Sequence, residues 1–350
     1  MKTVNLGKSV VGKGNPPYII AEVGSNHNGD MELCRRLINA AAEAGAHAVK
    51  FQSWTKSSLI AREEYDRNPE YSDKKKHFGS LREMVSAYQL TPDQHLEAHS
   101  YCVSRGIAFC SSAFSEEEVD LLDSLDVPFI KIASMDVVNL ALLSYAARTQ
   151  RPLVISTGMA TLGEVERAVE TVRQEGNEEI ALLHCVSIYP PAYDTIQLRN
   201  MEMLEQAFDV PVGFSDHTLG TSISLAAIAL GACVIEKHFT LDKDMPGWDH
   251  AISADPAELR TIVTEGRSVF EALGSRRRTV TEAEMEKRLK FRRSLVAGRA
   301  LSKGHVLTEG DLDAKRPGSG ISPDELRYVV GRQLADDIEE DQVIHWEDLQ

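Results

Sequence analysis

Two histidines stand in similar settings, His217 in SDHTLG and His238 in EKHFTLD, and each follows another polar residue at a distance of two, Ser215 and Glu236. In an extended chain residues two apart project to one face. If the two segments are neighbouring strands, the imidazoles converge, and a pair of them can hold one divalent ion while leaving positions open for substrate. A single strand-end histidine is also a common structural residue; matched parity in two segments favours the metal. Lys50 and Gln52 repeat the spacing in HAVKFQS, and Lys131 lies in FIKIAS. With the late-strand serines Ser112, Ser156, Ser187 and Ser215, the lysines offer cations and hydroxyl donors that would grip a small phosphorylated acid. A lysine in apolar surroundings could instead lose its proton readily and form a Schiff base. Glu22 is either a general base for water or the ion-pair partner of one of these lysines.

Such residues need a frame that brings many strand ends to one place. Short runs rich in Val, Ile and Phe alternate along the chain with amphipathic segments of helical spacing. The strand candidates are 18–24, 47–53, 107–114, 129–134, 153–158, 180–187, 211–216 and 233–239, and each ends in polar residues. Helical patterns such as DMELCRRLINAAAEAG and TPDQHLEAHSYCVSRG separate them, several closed by a glycine, with Pro92 after Thr91 reading as a helix start. Eight strand and helix pairs predict an α/β fold of the (β/α)8 barrel (TIM barrel) type, with its site at the carboxyl ends of the strands. An open doubly wound sheet is the alternative, but no GxGxxG follows the first strand.

Composition narrows the partners. A net charge of −15 argues against nucleic acid, which demands a basic surface, and the basic run Arg276–Arg278 reads as a solvated linker. The start of the chain carries no signal-peptide pattern and no segment approaches membrane-spanning length, so a cytoplasmic protein without membrane association is expected. Cys34, Cys102, Cys110, Cys185 and Cys233 are scattered without metal-knuckle spacing, as suits free thiols. The long insertion at 55–90, dense in charge and tyrosine, reads as a lid or a disordered loop. After Gly274 the alternation stops. The tail is glycine-rich, with short segments, and predicts a small, β-rich second domain.

The motifs IIAEVGSNHNG, AVKFQ, FCSSAFS, IKIAS, STGMATLGEVE, LLHCVSIYPP, GFSDHTLG, IEKHFTLD and MPGWDH resemble, in order, the strand-end motifs of the sialic acid synthase family. The tail with AKRPGSGI is similar to the antifreeze-like (SAF) domain that follows the barrel in that family. The resemblance implies a barrel over 1–275, a linker over 276–290 and an antifreeze-like domain over 291–350. It also implies condensation of phosphoenolpyruvate with an open-chain N-acyl mannosamine-type sugar and water. The product would be a nine-carbon 2-keto acid, with phosphate released by C–O cleavage. Phosphoenolpyruvate would be held by Lys50, Ser112, Lys131, Ser134, Ser156, Ser187 and Ser215, and the sugar by Gln52, Tyr189 and Asp249. A manganese or magnesium ion on His217 and His238 would polarise the aldehyde, and Glu22 would activate water. Arg316 would reach the substrate from the partner chain of a domain-swapped homodimer.

The chain departs from the family pattern in three places. Asp136, counted with Glu22, His217 and His238 among the catalytic residues that the resemblance implies, stands where the family has a glutamate after the strand-four serine; Ser187 replaces an asparagine, and Ser112 and Ala113 replace Thr-Pro. These changes bear on the sugar more than on the reaction. A diacetamido-trideoxymannose, giving legionaminic acid, stands beside N-acetylmannosamine, with its 6-phosphate third. The rival readings are a Schiff-base pyruvate aldolase using Lys131 or Lys50, and a sugar-binding barrel that has lost catalysis.

Overall fold

The structure, a computed structural model, describes residues 2–71, 79–275 and 277–350; residues 72–78 of the long insertion and Arg276 of the basic run lie outside the described residues. The chain divides into two compact units, Met1–Gly274 and Ser275–Gln350.

In the first unit eight parallel strands close into a barrel, in the order β8-β1-β2-β3-β4-β5-β6-β7. They are β1 (Tyr18–Gly24), β2 (Ala48–Ser53), β3 (Ala108–Ala113), β4 (Ile130–Ile132), β5 (Leu153–Ser156), β6 (Ile180–Cys185), β7 (Val212–Asp216) and β8 (Val234–His238). The helices that follow them are α1 (Met31–Ala44), α2 (Pro92–Arg105), α3 (Glu116–Ser124), α4 (Leu140–Arg148), α5 (Leu162–Gln174), α6 (Asn200–Phe208), α7 (Ser222–Ala229) and α8 (Pro256–Leu273). The expected barrel is therefore the fold. Thr91 caps α2 in a reciprocal box with Gln94, Pro92 occupies its first turn, and Gly45 and Gly106 close α1 and α2 in the left-handed conformation.

Strand parity organises the interior. Residues of one parity, including Ile19, Ala21, Val49, Phe51 and Phe109, pack against the helices in the main apolar core. Those of the other parity fill the barrel. Near the amino ends they are apolar: Ile20, Ala48, Cys110, Val154, Leu183 and Val234, sealed by Val4, Leu6 and Val11 of a short amino-terminal hairpin. Two positions further along the same strands they become Glu22, Lys50, Ser112, Ser156, Cys185 and Glu236. The barrel thus has a dry floor and a polar mouth.

The insertion after β2 is folded where it is described, with helices Arg62–Arg67 and Leu81–Tyr88. Their apolar sides bury Tyr65, Leu81, Met84, Val85 and Tyr88 around Trp54, with Phe114, Tyr71 and Trp248 against the cluster.

The second unit contains a helix, Glu282–Phe291, started by a Thr281–Glu284 capping box within the stretch expected as a linker. An antiparallel pair, Ser294–Ala297 with Leu312–Lys315, and several isolated bridges follow it. Its small core is built from Leu295, Leu301, Leu307, Val329, Leu334, Ile338 and Ile344. No helix among the described residues is long and apolar enough to cross a membrane.

Candidate active site

A cavity of about 270 Å³ opens at the carboxyl ends of the strands. Of the residues expected from sequence, Glu22, Lys50, Gln52, Ser112, Lys131, Ser134, Ser156, Ser187, Tyr189, Ser215, His217 and His238 all line it. Each barrel strand, or the segment directly after it, brings at least one of them, which explains why residues so far apart in the chain meet.

The floor is a charged lattice. Lys50 Nζ lies 2.9 Å from Glu22 Oε2 and 3.7 Å from Glu236 Oε2, and donates to Ser112 Oγ at 3.2 Å. Lys131 Nζ donates to Ser156 Oγ at 2.7 Å and to the Ile132 carbonyl at 2.9 Å, and lies 4.0 Å from Glu236 Oε2. Gln52 donates to Glu22 Oε1 at 2.7 Å, and Ser215 to Glu236 Oε1 at 2.9 Å. The environments of the two carboxylates push their affinities for protons apart. Burial raises Glu22 to about 7 despite Lys50, with the charge of Glu236 adding to the rise. Burial acts on Glu236 too, but Lys131 and Lys50 outweigh it and hold that carboxyl below its usual range. Burial likewise opposes the Lys50 charge, yet Glu22 and Glu236 raise its pKa; Lys131, with less compensation, is lowered by burial. A carboxylate that titrates near neutrality beside a fixed cation is suited to moving a proton at physiological pH.

Above this lattice the serines form a cradle. Ser134 Oγ accepts from the backbone N–H of Gly158 at 3.1 Å. A Cβ at Gly158 would lie 2.3 Å from Ser187 Oγ and 2.7 Å from Ser134 Oγ, so only glycine lets these hydroxyls close in on the backbone.

The two histidines face each other with ring centroids 5.3 Å apart, and the Tyr189 ring lies 4.1 Å from His217. His217 Nδ1 is 2.9 Å from the Val186 carbonyl, which can only accept, so Nδ1 carries a proton and Nε2 is the nitrogen that offers a lone pair when the ring is neutral; burial opposes the charged ring, yet Cys185 and the Val186 carbonyl raise its pKa. Among the described residues His238 Nδ1 is buried without a hydrogen-bond partner, with Asp249 Oδ2 3.7 Å away. Burial and the neighbouring His217 hold the His238 imidazole well below its usual range, in the neutral form a metal ligand must have. Among the described residues no three His, Cys, Asp or Glu side chains converge as a closed metal cage. The pair fits an open site, in which water and substrate oxygens fill the remaining positions.

Three expected residues are not among those that line the cavity. Asp249 stands behind His238, at the contact just given. Asp136 follows Ser134 in a tight turn and accepts from Asn139 at 3.2 Å; Met135 lines the cavity in its place. Arg316 is in the second unit, its guanidinium 5.2 Å over the Phe291 ring. Sequence reasoning gave no role to Glu236, although parity placed it beside His238. It also missed Cys185 and Phe114, which line the cavity as well.

A barrel with this polar mouth defines an enzyme for a small anionic substrate. Sequence comparison makes the class specific: the chain belongs to the NeuB family, matched over residues 37–278, with a SAF domain matched over 292–350. It is 40% identical to the N,N'-diacetyllegionaminic acid synthase of Legionella pneumophila, covering 95% of this chain and 94% of that protein. It is 38% identical to the N-acetylneuraminate-9-phosphate synthase of Drosophila melanogaster, covering 93% and 94%. A crystal structure of the N-acetylneuraminic acid synthetase of Leptospira borgpetersenii in complex with citrate superposes with a TM-score of 0.73 at 32% identity, covering 82% of this chain and 95% of that one.

Proposed function

We propose that this protein condenses phosphoenolpyruvate with an open-chain N-acyl mannosamine-type sugar and water, forming a nine-carbon 2-keto acid and phosphate. The observation that carries this reading is the meeting of Lys50, Lys131, five serines, Glu22 and two imidazoles on one cavity. Lys50 and Lys131, with Ser112, Ser134, Ser156, Ser187 and Ser215, neutralise and orient the phosphorylated acid. Gln52 and Tyr189 face the sugar, and Asp249 bears on the sugar site from its place beside His238. Carbon 3 of phosphoenolpyruvate bonds to the aldehyde carbon, whose oxygen takes a proton and becomes a hydroxyl. Water adds at carbon 2 as Glu22 accepts its proton, and the tetrahedral centre collapses to the ketone, breaking the bond from carbon 2 to the phosphate oxygen. His217 and His238 would hold a manganese or magnesium ion, which supplies Lewis-acid polarisation of the aldehyde when bound. Asp136, expected among the catalytic residues, accepts from Asn139 in the turn after Ser134 and is not among the cavity-lining residues.

We assign the working form as a homodimer in which Arg316 of a second copy completes the sugar site. Support comes from exposed apolar side chains on the segments after β4 to β7: Met135, Val138, Met159, Leu162, Ile188 and Leu219. So much apolar surface around a polar mouth is suited to being covered. We place the reaction in the cytoplasm; all five cysteines are free, which suits a reducing compartment.

Phosphate release tests the reading. Manganese is supplied with N-acetylmannosamine, its 6-phosphate or 2,4-diacetamido-2,4,6-trideoxymannose, and product masses are read alongside. Release that requires both a sugar and the metal is expected. A Schiff-base aldolase would instead work on pyruvate in excess EDTA and be trapped by borohydride.

A further inference from the structure

Between the inward residues Ser215 and His217 of the β7 segment, and between Glu236 and His238 of β8, lies one outward residue each, Asp216 and Lys237. They are register partners on adjacent strands. Both side chains are fully sealed from solvent, with Lys237 Nζ 3.1 Å from Asp216 Oδ2. Two of their remaining bonds meet at Thr218 and a third reaches Ser224. Asp216 Oδ1 accepts the Thr218 backbone N–H at 2.8 Å, Lys237 donates to the Thr218 carbonyl, and Asp216 Oδ2 accepts from Ser224 Oγ of α7 at 2.6 Å.

This placement matters because β7 ends at Asp216. His217 is one residue past the last strand position, and the ladder no longer fixes its backbone. The ion pair takes over by holding the N–H and the carbonyl of Thr218, one from each of the two peptide links that flank this residue. Stability alone is a weak reason for such a pair, since apolar residues of equal volume in a sealed site are often as stable. Apolar residues could not, however, bond both the N–H and the carbonyl of Thr218. The bonds also tie β8 to the turn after β7, and thereby set His217 against His238.

We propose that Asp216 and Lys237 are positioning residues which fix the His217–His238 separation and so set the affinity for a divalent cation. The proposal rests on the metal reading given above. It is tested on the full chain by manganese binding, measured by titration calorimetry on Asp216→Asn, Lys237→Met and the milder Ser224→Ala, each with melting temperature and metal-free phosphoenolpyruvate affinity. The expected result is manganese binding weakened by about tenfold to a hundredfold in the first two variants. Ser224→Ala should show a smaller loss of about threefold, and phosphoenolpyruvate affinity should stay within about twofold of the parent. Folded variants that bind manganese as the parent does, with only a lower melting temperature, would overturn the proposal and leave the pair a purely structural one. If the two charge variants do not fold, Ser224→Ala decides by the same criterion. A parent chain that binds no manganese removes the metal reading itself, and the proposal with it, which separates the two failures.

Discussion

Glu22 Oε2 and Lys50 Nζ meet at 2.9 Å at the bottom of the cavity, both essentially cut off from water. The contact joins neighbouring strands at paired positions, since Glu22 and Lys50 are register partners across β1 and β2. It fixes the carboxylate at the edge of the substrate space and leaves its other oxygen to Gln52.

Glu22→Gln keeps the shape and the Gln52 contact but cannot accept a proton. Turnover, followed as phosphate release, should fall by about 10² to 10⁴, while phosphoenolpyruvate binding is retained because Lys50 keeps Glu236 as a partner. Loss of binding in parallel with turnover would make Glu22 a binding residue only.

His217→Ala should remove manganese-dependent turnover and weaken manganese binding by at least about a hundredfold, since a site with two protein ligands loses half of them. Dialysis of the parent against EDTA should do the same, reversibly on adding metal. Unchanged turnover in either case would end the metal assignment.

Gly158→Ala inserts a methyl group between the Ser134 and Ser187 hydroxyls. Crowding of this kind costs about 1–3 kcal/mol, so the KM for phosphoenolpyruvate should rise roughly tenfold or more with a smaller change in kcat. A kcat effect alone would show that the phosphate does not sit against these serines.

Arg316→Ala should raise the KM for the sugar and leave metal-free phosphoenolpyruvate binding as it was. Light scattering should give a dimer mass for the parent. A monomer mass together with full activity of the variant would exclude the shared site.

His27 supplies a pH dependence of stability. Burial, with His95 as a lesser contributor, lowers its pKa to about 4, and its Nδ1 accepts the Gly29 N–H at 3.0 Å. The folded state therefore holds it neutral, while the unfolded chain protonates it near the ordinary value of about 6.5. The contribution is complete above about pH 6.5 and is lost as pH falls toward 4, amounting to about 3 kcal/mol across that window. Chemical denaturation at pH 7 and pH 5 should show the loss in the parent, and His27→Gln should flatten it.

The barrel was legible because period-two polarity and helix caps are local signals, and eight repeats of one pattern reinforce each other. The site was legible for the same reason: Lys50 with Gln52, and Ser215 with His217, share the parity that faces the mouth. What the sequence left hidden depends on contacts across elements. Asp136 follows the right serine, but the turn it enters swings its carboxyl to Asn139. Asp216 and Lys237 read as outward positions where apolar residues would be expected. Only the register of β7 against β8, and the peptide that turns after His217, reveal what they hold. The insertion after β2 read as a lid or a disordered loop, whereas Tyr65 and Met84 give its described part a core in common with Trp54.

That shared core gives the molecule an optical property. Of its three tryptophans, Trp54 and Trp248 form an edge-on pair with centroids 6.0 Å apart, and the Trp248 indole donates to the Tyr71 hydroxyl at 2.9 Å. Trp54 also meets Phe114, which lines the cavity, while Trp248 directly precedes Asp249. The chain thus carries its own fluorophores at the rim of its mouth, and the emission of the unlabelled protein should report ligand arrival before any chemistry begins.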